Sequence, residues 1–328
     1  MGAEVLALVG PTCSGKSAVA LNLARRFDCA VLSADSMQVY QGMDIGTGKV
    51  FDASADVRMY GIDLVRPGEA YSAALYQDYG RQVISRELAA CGRIIICGGT
   101  GFYVRALLDG MEFAPWEQED NPVRERYLAL ARESGPMAVW QELNRLDAES
   151  ATLVHPNNVK RVIRALEMVS VGESYARRAE AFSHIEEAIP ATYFAFELPR
   201  ETLYERIDDR VDRMMACGLV DEVRGLVDAG LRDAITSRQA IGYKEIISYL
   251  DGRCSLEEAI AAIKQATRRY AKRQLSWFCR DGRITWLDGM APENERAAAV
   301  ARLCGWEYDV VLTGGEAPPP PCRPGSTR

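Results

Sequence analysis

The segment Gly10-Pro11-Thr12-Cys13-Ser14-Gly15-Lys16-Ser17 follows the apolar run of residues 5–9 and precedes a helical pattern that begins at Ala18. Its spacing, G-x-x-x-x-G-K-[ST], is that of a P-loop between a strand and a helix. The glycines let the backbone curl, so that several N–H groups and the helix N-terminus point at one phosphate cluster. We predict that residues 10–17 bind phosphate, that Lys16 adds charge for the outer phosphates, and that Ser17 holds Mg²⁺. The motif does not say whose phosphate it is.

The composition sets broad limits on the class of protein. The chain has 328 residues, 48% of them hydrophobic and 26% charged, which is typical of a globular protein with one or two domains. No apolar run approaches a membrane span and the first strand follows no signal region, so we expect a cytoplasmic protein without membrane contact. The nine scattered cysteines indicate neither a disulfide framework nor a zinc site. A net charge of −7 argues weakly against nucleic-acid binding.

Two further strand ends predict the surroundings of the phosphate. A strand at residues 30–33 runs into Asp35, and a strand at residues 93–97 ends in small residues and Thr100. The carboxyl ends of strands line the ligand crevice of a doubly wound sheet, so Asp35 is a candidate general base, with a turn residue as the alternative. Thr100 donates to a phosphate oxygen or closes a turn. A nucleotide hydrolase would end this strand in an Asp that holds Mg²⁺, and its absence counts against an ATPase or GTPase.

The alternation of strands and helices stops near residue 111 and resumes with a strand at residues 192–198. Between them we predict helices near residues 122–134, 136–146 and 157–171. The fold class is therefore α/β, a doubly wound parallel sheet of the P-loop NTPase type with a helical insertion domain. Its predicted parts are a catalytic core at residues 1–110 and 192–312, the insertion at residues 111–191, and a proline-rich disordered tail at residues 313–328.

Basic side chains cluster locally despite the acidic total. Arg206, Arg210 and Arg213 recur at helical spacing, so that one helix face could aim guanidinium groups at the phosphate site. A second helix carries a stripe in which a cation recurs every fourth residue, at Lys264, Arg268 and Lys272. Such a stripe suits the phosphates of a nucleic acid, although a basic helix face is more often only solvated surface.

Four motifs in this chain resemble those of the tRNA dimethylallyltransferases, the tRNA isopentenyltransferases. They are the P-loop, residues 33–40 with 46–49, residues 98–103, and residues 237–245. Similarity also covers residues 155–167 and 271–278. The resemblance thus spans nearly all of residues 4 to about 290, in the order found in the family.

The resemblance implies transfer of a dimethylallyl group from its diphosphate to N6 of the adenine 3′ to the anticodon, tRNA position 37. The tRNAs would be those that read codons starting with U, and the products N6-dimethylallyladenosine and diphosphate. The P-loop would hold the diphosphate of the donor, and Asp35 would accept the N6 proton. Thr100, Arg210 and Lys16, with Mg²⁺ at Ser17, would stabilise the departing diphosphate.

The resemblance also implies a set of residues that contact the anticodon stem-loop. These are Asp35, Ser36, Met37, Gln38, Thr100, Arg124, Lys160, Arg161, Arg164, Ile241, Gly242, Tyr243, Lys244 and Glu245. The expected partners are therefore tRNA and dimethylallyl diphosphate, and we expect the protein to be a monomer.

Other functions stay open at this point. A P-loop kinase for small molecules would turn over ATP, and the P-loop motif alone does not exclude an ATP site. An adenylate isopentenyltransferase would use free AMP, but the helical insertion and the basic stripe favour RNA because a small acceptor needs neither. An RNA-binding module without activity would leave Lys16, Ser17 and Asp35 unexplained.

Overall fold

A computed structural model describes residues 4–49, 57–113, 122–183, 185–234 and 236–307. The tail predicted at residues 313–328 lies outside the described residues. The chain divides into two compact units, which we call the sheet unit (Met1–Leu108 with Ile189–Arg328) and the helical unit (Asp109–Ala188). Among the helices described, none has the length and apolarity needed to cross a membrane.

The sheet unit is built on six parallel strands in the order β3-β2-β4-β1-β5-β6. The predicted α/β class and parallel sheet are confirmed. In chain order the strands are β1 Glu4–Val9, β2 Ala30–Ser33, β3 Met59–Tyr60, β4 Arg93–Gly98, β5 Thr192–Glu197 and β6 Ile284–Asp288. β1 lies inside the sheet, hydrogen-bonded to β4 on one side and to β5 on the other. The P-loop that follows β1 therefore starts at the middle of the sheet's carboxyl edge.

The helices of the sheet unit lie between or after its strands, several of them in succession between β5 and β6, and those of the helical unit follow one another. They are α1 Lys16–Phe27, α2 Ala73–Cys91, α3 Gly101–Leu108, α4 Pro122–Leu146, α5 Ala148–Leu153, α6 Val159–Ser170, α7 Tyr175–Ser183, α8 Arg200–Ala216, α9 Leu219–Asp228, α10 Tyr243–Leu250, α11 Leu256–Phe278 and α12 Glu293–Leu303.

Helices cover both faces of the sheet, which explains why β1 is a continuous apolar run. Successive β1 side chains point to opposite faces, so Ala7 and Val9 pack in one core and Leu6 and Leu8 in the other. The first core includes residues of α2, α3, α9, α10 and α11, and the second includes residues of α1 and α12. This doubly covered arrangement brings the loops after β1, β2 and β4 to one edge.

The helical unit has an apolar core of its own, formed from α4, α5 and α6. The long helix α4 is broken at Gly135, which has φ 81° and ψ 172° and precedes Pro136. Proline disfavours the helical conformation of the residue before it, so this break matches the predicted gap between helices at residues 122–134 and 136–146. Val139 and Leu143, in the second half of α4, pack with Val162 and Leu166 of α6.

Candidate active site

The P-loop adopts a tightly curled backbone. Three of its residues have positive φ angles, 126° at Gly10, 63° at Cys13 and 85° at Gly15. Gly15 is the residue before α1, and an added Cβ there would lie 2.3 Å from the Arg296 guanidinium. Glycine is therefore favoured at this position by backbone conformation, and a larger residue would have to displace the Arg296 guanidinium. The curl is the conformation that phosphate-binding loops of this spacing adopt.

Lys16 is a buried cation at the base of the loop. Its Nζ donates a 3.0 Å hydrogen bond to the Pro11 carbonyl oxygen. Burial lowers the pKa of Lys16, and the nearby Cys97 and Asp35 only partly oppose that effect, while Arg210 adds to it. A charged ammonium in this position lacks a full counter-charge, which is an arrangement suited to receiving an anion.

Asp35 follows β2 and forms a turn, the alternative that its sequence position offered beside general base. Its Oδ1 accepts a 2.9 Å hydrogen bond from the Met37 backbone N–H, which forms an Asx turn. No hydrogen bond from the described residues reaches its Oδ2. One carboxylate oxygen is therefore fixed by the turn, and the other is left to accept a proton.

Thr100 ties the loop after β4 to the loop after β2. Its Oγ1 accepts a 3.0 Å hydrogen bond from the Ser36 backbone N–H, and its own N–H donates to the Ala34 carbonyl oxygen at 3.0 Å. The two strands approach so closely that a Cβ at Gly98 would lie 2.2 Å from the Ala34 carbonyl oxygen. Thr100 and Asp35 therefore share one rigid corner of the site.

Arg210 is brought to the P-loop by α8, as predicted. Its Nη1 donates to Thr12 Oγ1 and its Nη2 to the Thr47 carbonyl oxygen, each at 3.2 Å. In the described residues, it is the one arginine of the predicted trio that bonds to the P-loop, because Arg213 bonds back to Asp209 of its own helix. The planar guanidinium thus stands between the phosphate loop and the loop after β2.

The segment Gly46–Lys49 proves to be a structural clamp. The buried Lys49 Nζ binds the Tyr40 carbonyl at 2.7 Å, Asp44 at 2.8 Å and Asp63 at 2.5 Å. Glu222 accepts hydrogen bonds from backbone N–H groups of residues 44–46, at 2.7–3.3 Å. These bonds fix the loop that presents the Thr47 carbonyl to Arg210.

The sequence analysis missed Gln274 and Tyr270, which lie one turn apart on α11. The buried Gln274 accepts a 2.9 Å hydrogen bond from the Thr12 N–H and donates one of 2.9 Å to the Gly99 carbonyl oxygen. Tyr270 forms a side-chain hydrogen bond with Thr100, and burial together with Asp35 raises the pKa of its phenol to about 12. Their i, i+4 spacing, which places both side chains on one face of α11, was the signal in the sequence.

The sequence analysis also missed Arg296, the support beneath the P-loop. Its Nη1 donates a 3.1 Å hydrogen bond to the Ser14 carbonyl oxygen, and its guanidinium lies 5.0 Å from the centre of the Phe196 ring. Burial lowers the pKa of Arg296, and no carboxylate of the described residues forms an ion pair with it. The Ser14 hydroxyl and Arg296 Nε are buried without hydrogen-bond partners within the described part of the chain.

The predicted basic stripe on α11 is largely neutralised. Lys264 lies 2.7 Å from Asp212, and Arg268 forms a two-point ion pair with Asp208, so that both cations hold α11 to α8. Lys272 stays exposed. The stripe is therefore mainly a structural contact, because the acids that compensate it come from another helix.

Of the four predicted tRNA contacts in the helical unit, two are exposed cations and two are arginines paired with a buried carboxylate. Lys160 and Arg161 are exposed on the first turn of α6, where the Asn158 side chain caps the helix. Arg124 and Arg164 instead bind Glu167, at 2.6 and 3.2 Å. Since the Glu167 side chain is only 1% exposed, these two arginines compensate a buried carboxylate.

The predicted tRNA contacts of the sheet unit are also unequal. Tyr243 is 0% exposed and donates a 2.6 Å hydrogen bond to Glu222, so its side chain supports the Gly46–Lys49 clamp and offers no contact surface. Glu245 accepts from the Gly242 N–H at 2.9 Å and starts α10. Lys244 is exposed, while Ile241, Ser36, Met37 and Gln38 are partly buried.

Comparison with known proteins places the chain in a family. A profile described as IPP transferase matches residues 38–281. The chain is 41% identical over 303 residues to tRNA dimethylallyltransferase 1 of Pelobacter propionicus, covering 92% of this chain and 96% of that protein. It is 40% identical over 291 residues to tRNA dimethylallyltransferase of Bacillus pumilus, covering 88% and 90%.

A solved structure agrees with these relatives. The crystal structure of the full-length tRNA isopentenylpyrophosphate transferase from Bacillus halodurans has a TM-score of 0.68 and 37% identity, and the match covers 92% of this chain and 96% of that one. The profile match includes the whole helical unit and much of the sheet unit. This chain belongs to the IPP transferase family.

Proposed function

We propose that this protein transfers a dimethylallyl group from dimethylallyl diphosphate to N6 of adenine 37 in tRNAs that read codons starting with U. The observation that carries the proposal is the convergence of Lys16, Arg210, Thr100 and Asp35 around the P-loop of a chain whose relatives are named tRNA dimethylallyltransferases. A phosphate cradle and a carboxylate on one sheet edge are what the reaction requires.

The cations of the site act on the leaving group. In the transfer, the bond between the allylic carbon and the diphosphate oxygen breaks, and negative charge collects on the diphosphate. Lys16 and Arg210 contact neighbouring residues of the P-loop, Pro11 and Thr12, and would neutralise that charge. Both are fixed by hydrogen bonds before substrate arrives, so little reorganisation accompanies the reaction.

Asp35 acts on the nucleophile. The exocyclic amine of adenine is a poor nucleophile, and its proton has to leave as the new N6–carbon bond forms. The turn that fixes Asp35 Oδ1 leaves Oδ2 to take that proton. Thr100, tied to the same corner and to Tyr270, would hold the amine or the departing oxygen in line.

The site fits a Mg²⁺ ion that has few protein ligands. The Ser17 side chain is exposed at the first turn of α1, with the Cys97 sulfur 4.0 Å from its Oγ. No cluster of three or more His, Cys, Asp or Glu side chains suited to a metal occurs in the described ranges. Mg²⁺ commonly keeps its waters and binds substrate phosphates, and at Ser17 it would supply charge to the diphosphate.

The acceptor has to be a base that leaves its stack. N6 lies on the pairing edge of adenine, so a carboxylate at the sheet edge reaches it only when the base is flipped out. In the helical unit the exposed Lys160 and Arg161 of α6, and in the sheet unit the exposed Lys244 of α10, would each bind phosphates of the tRNA. A tRNA substrate also implies action in the cytoplasm.

The test is a transfer assay with radiolabelled dimethylallyl diphosphate, Mg²⁺, and either an anticodon stem-loop with adenine at position 37 or free AMP. We expect label on the stem-loop, and at least about 100-fold slower transfer by Asp35→Asn because the general base is lost. Asp78→Asn, an exposed residue of α2, is the matched control and should transfer normally.

Three outcomes would contradict the proposal. Label on AMP alone would identify an adenylate isopentenyltransferase. ATP turnover without transfer would identify a P-loop kinase or hydrolase. Normal transfer by Asp35→Asn would remove this carboxylate from the role of base, provided that the variant still binds diphosphate, which a thermal shift measures.

A further inference from the structure

A basic cavity of about 270 Å³ lies on the sheet unit, apart from the P-loop. Its lining includes four cationic side chains, Arg232, Arg238, Lys244 and Arg253, and a single carboxylate, Asp251. All four cations are exposed. None of these residues takes part in the contacts that build the P-loop, the Asp35 turn or the Gly46–Lys49 clamp. Of the four cations, only Lys244 has a role in the proposed function, as a contact to tRNA phosphates.

Asp251 holds two of the guanidinium groups in fixed positions. Arg232 Nη1 lies 2.5 Å from its Oδ1, and Arg253 Nη2 lies 2.9 Å from its Oδ2. The two arginines therefore share one carboxylate through different oxygens. Each arginine uses one N–H group to contact Asp251. Within the described residues, their guanidinium groups donate no other hydrogen bond. Most of their donors are left for a ligand.

The other two cations come from separate short elements. Arg238 belongs to a 3₁₀ turn, Ser237–Gln239, and its Nη1 donates a 2.8 Å hydrogen bond to the Arg232 carbonyl oxygen. Lys244 stands in the first turn of α10, 3.5 Å from Glu245. Arg232 itself lies in another 3₁₀ turn, Leu231–Asp233, so that two turns, a helix start and the residues after α10 bring four cations to one cavity. Such crowding of like charge is unfavourable unless an anion compensates it.

We propose that this cavity binds a backbone phosphate of the tRNA substrate, as a contact separate from the diphosphate site. Guanidinium forks match the geometry of phosphate oxygens, and three of them meet here. The chain as a whole has a net charge of −7, so a polyanion approaches it favourably only where cations are concentrated. The inference rests on the proposed function, because it assumes an RNA substrate.

The experiment measures the affinity for the anticodon arm of a tRNA as a function of KCl concentration. Arg253→Gln removes one charge and leaves the Arg232–Asp251 pair in place. We expect binding about 3- to 10-fold weaker at low salt, and a plot of log affinity against log salt that is shallower by about 0.7–0.9, the change for one lost phosphate contact. Arg302→Gln, an exposed arginine of α12, is the matched control and should leave both quantities unchanged.

A second variant guards against an effect on folding. Arg253→Lys keeps the charge and loses the fork, so it should retain the wild-type salt dependence with a smaller loss of affinity. Both Arg253 variants should keep the thermal shift produced by dimethylallyl diphosphate, which reports an intact P-loop. Wild-type affinity and salt dependence in Arg253→Gln would overturn the proposal.

Free phosphate is distinguished from RNA by competition at constant ionic strength. If inorganic phosphate binds to the wild-type cavity while Arg253→Gln binds RNA with wild-type affinity, the cavity is a small-anion site and the proposed RNA contact is wrong. Failure of the wild-type protein to prenylate the stem-loop would instead overturn the proposed function, whatever the salt dependence of binding.

Discussion

At the scale of single residues, the buried Lys16 lowers the stability of the folded protein and at the same time favours the binding of diphosphate. Its ammonium group is buried, and the lowered pKa means that the charged form is less stable in the folded protein than in the unfolded chain. The hydrogen bond to the Pro11 carbonyl compensates only part of that cost. A bound diphosphate would supply the missing counter-charge.

Lys16→Met should therefore melt at a temperature at least as high as wild type when diphosphate is absent. It should also lose the upward shift that diphosphate and Mg²⁺ produce in wild type, since ligand binding to the folded state is the source of that shift. Thermal denaturation with and without diphosphate measures both effects. A markedly lower melting temperature without ligand would mean that the Pro11 hydrogen bond outweighs the burial cost.

Asp147 makes the stability of the helical unit depend on pH, in a direction that its pKa shift determines. Burial alone would raise the pKa of this N-cap carboxyl, but hydrogen bonds from Ser150 and Ser174 outweigh it and lower the pKa below 3.8. The unfolded chain thus binds the proton more tightly, so the contribution is complete above pH 3.8 and lost as the pH falls through the folded pKa.

Asp147→Asn should keep the cap, because asparagine also caps helices, and should lose this acid dependence. Denaturant unfolding followed at pH 7 and between pH 4 and 2.5 gives the comparison. The variant should be less stable than wild type at pH 7, by up to about 1 kcal/mol, and the gap should close in acid. A stability difference between wild type and variant that increases in acid would contradict the direction of the pKa shift.

At the scale of elements, two helices far along the chain support the P-loop. Gln274 of α11 bonds to a residue 262 positions away, and Arg296 of α12 to one 282 positions away. The P-loop itself was predictable because its glycine spacing is a local signal. Its supports were not, because a Gln or Arg on an amphipathic helix carries no mark of the distant loop that it contacts.

Arg296→Gln should loosen the P-loop from below. It removes the cation that bonds to the Ser14 carbonyl and stacks on Phe196, and it leaves space beneath Gly15. We expect the KM for dimethylallyl diphosphate to rise by about 5- to 30-fold, the equivalent of about 1–2 kcal/mol, with a smaller effect on kcat. Steady-state kinetics with Arg302→Gln as control test this, and an unchanged KM would contradict it.

The basic stripe on α11 illustrates the opposite failure of prediction. The cations at 264 and 268 were read correctly as one helix face, but Asp208 and Asp212 of α8 neutralise them. Charge along one helix does not determine charge on a surface, because packing brings in side chains from other helices. The two-residue β3 was also missed, since so short a strand has no periodic signal.

At the scale of the whole molecule, the helical unit is an insertion between α3 and β5, and β5 completes the sheet beside β1. A chain grows from its N-terminus on the ribosome, so the phosphate loop is made before the helical unit. Its neighbours Arg210, Gln274 and Arg296 emerge only after the helical unit has left the exit tunnel. A nascent chain that has not yet grown past Arg296 therefore lacks the loop's supports, and diphosphate binding becomes a late event in its synthesis.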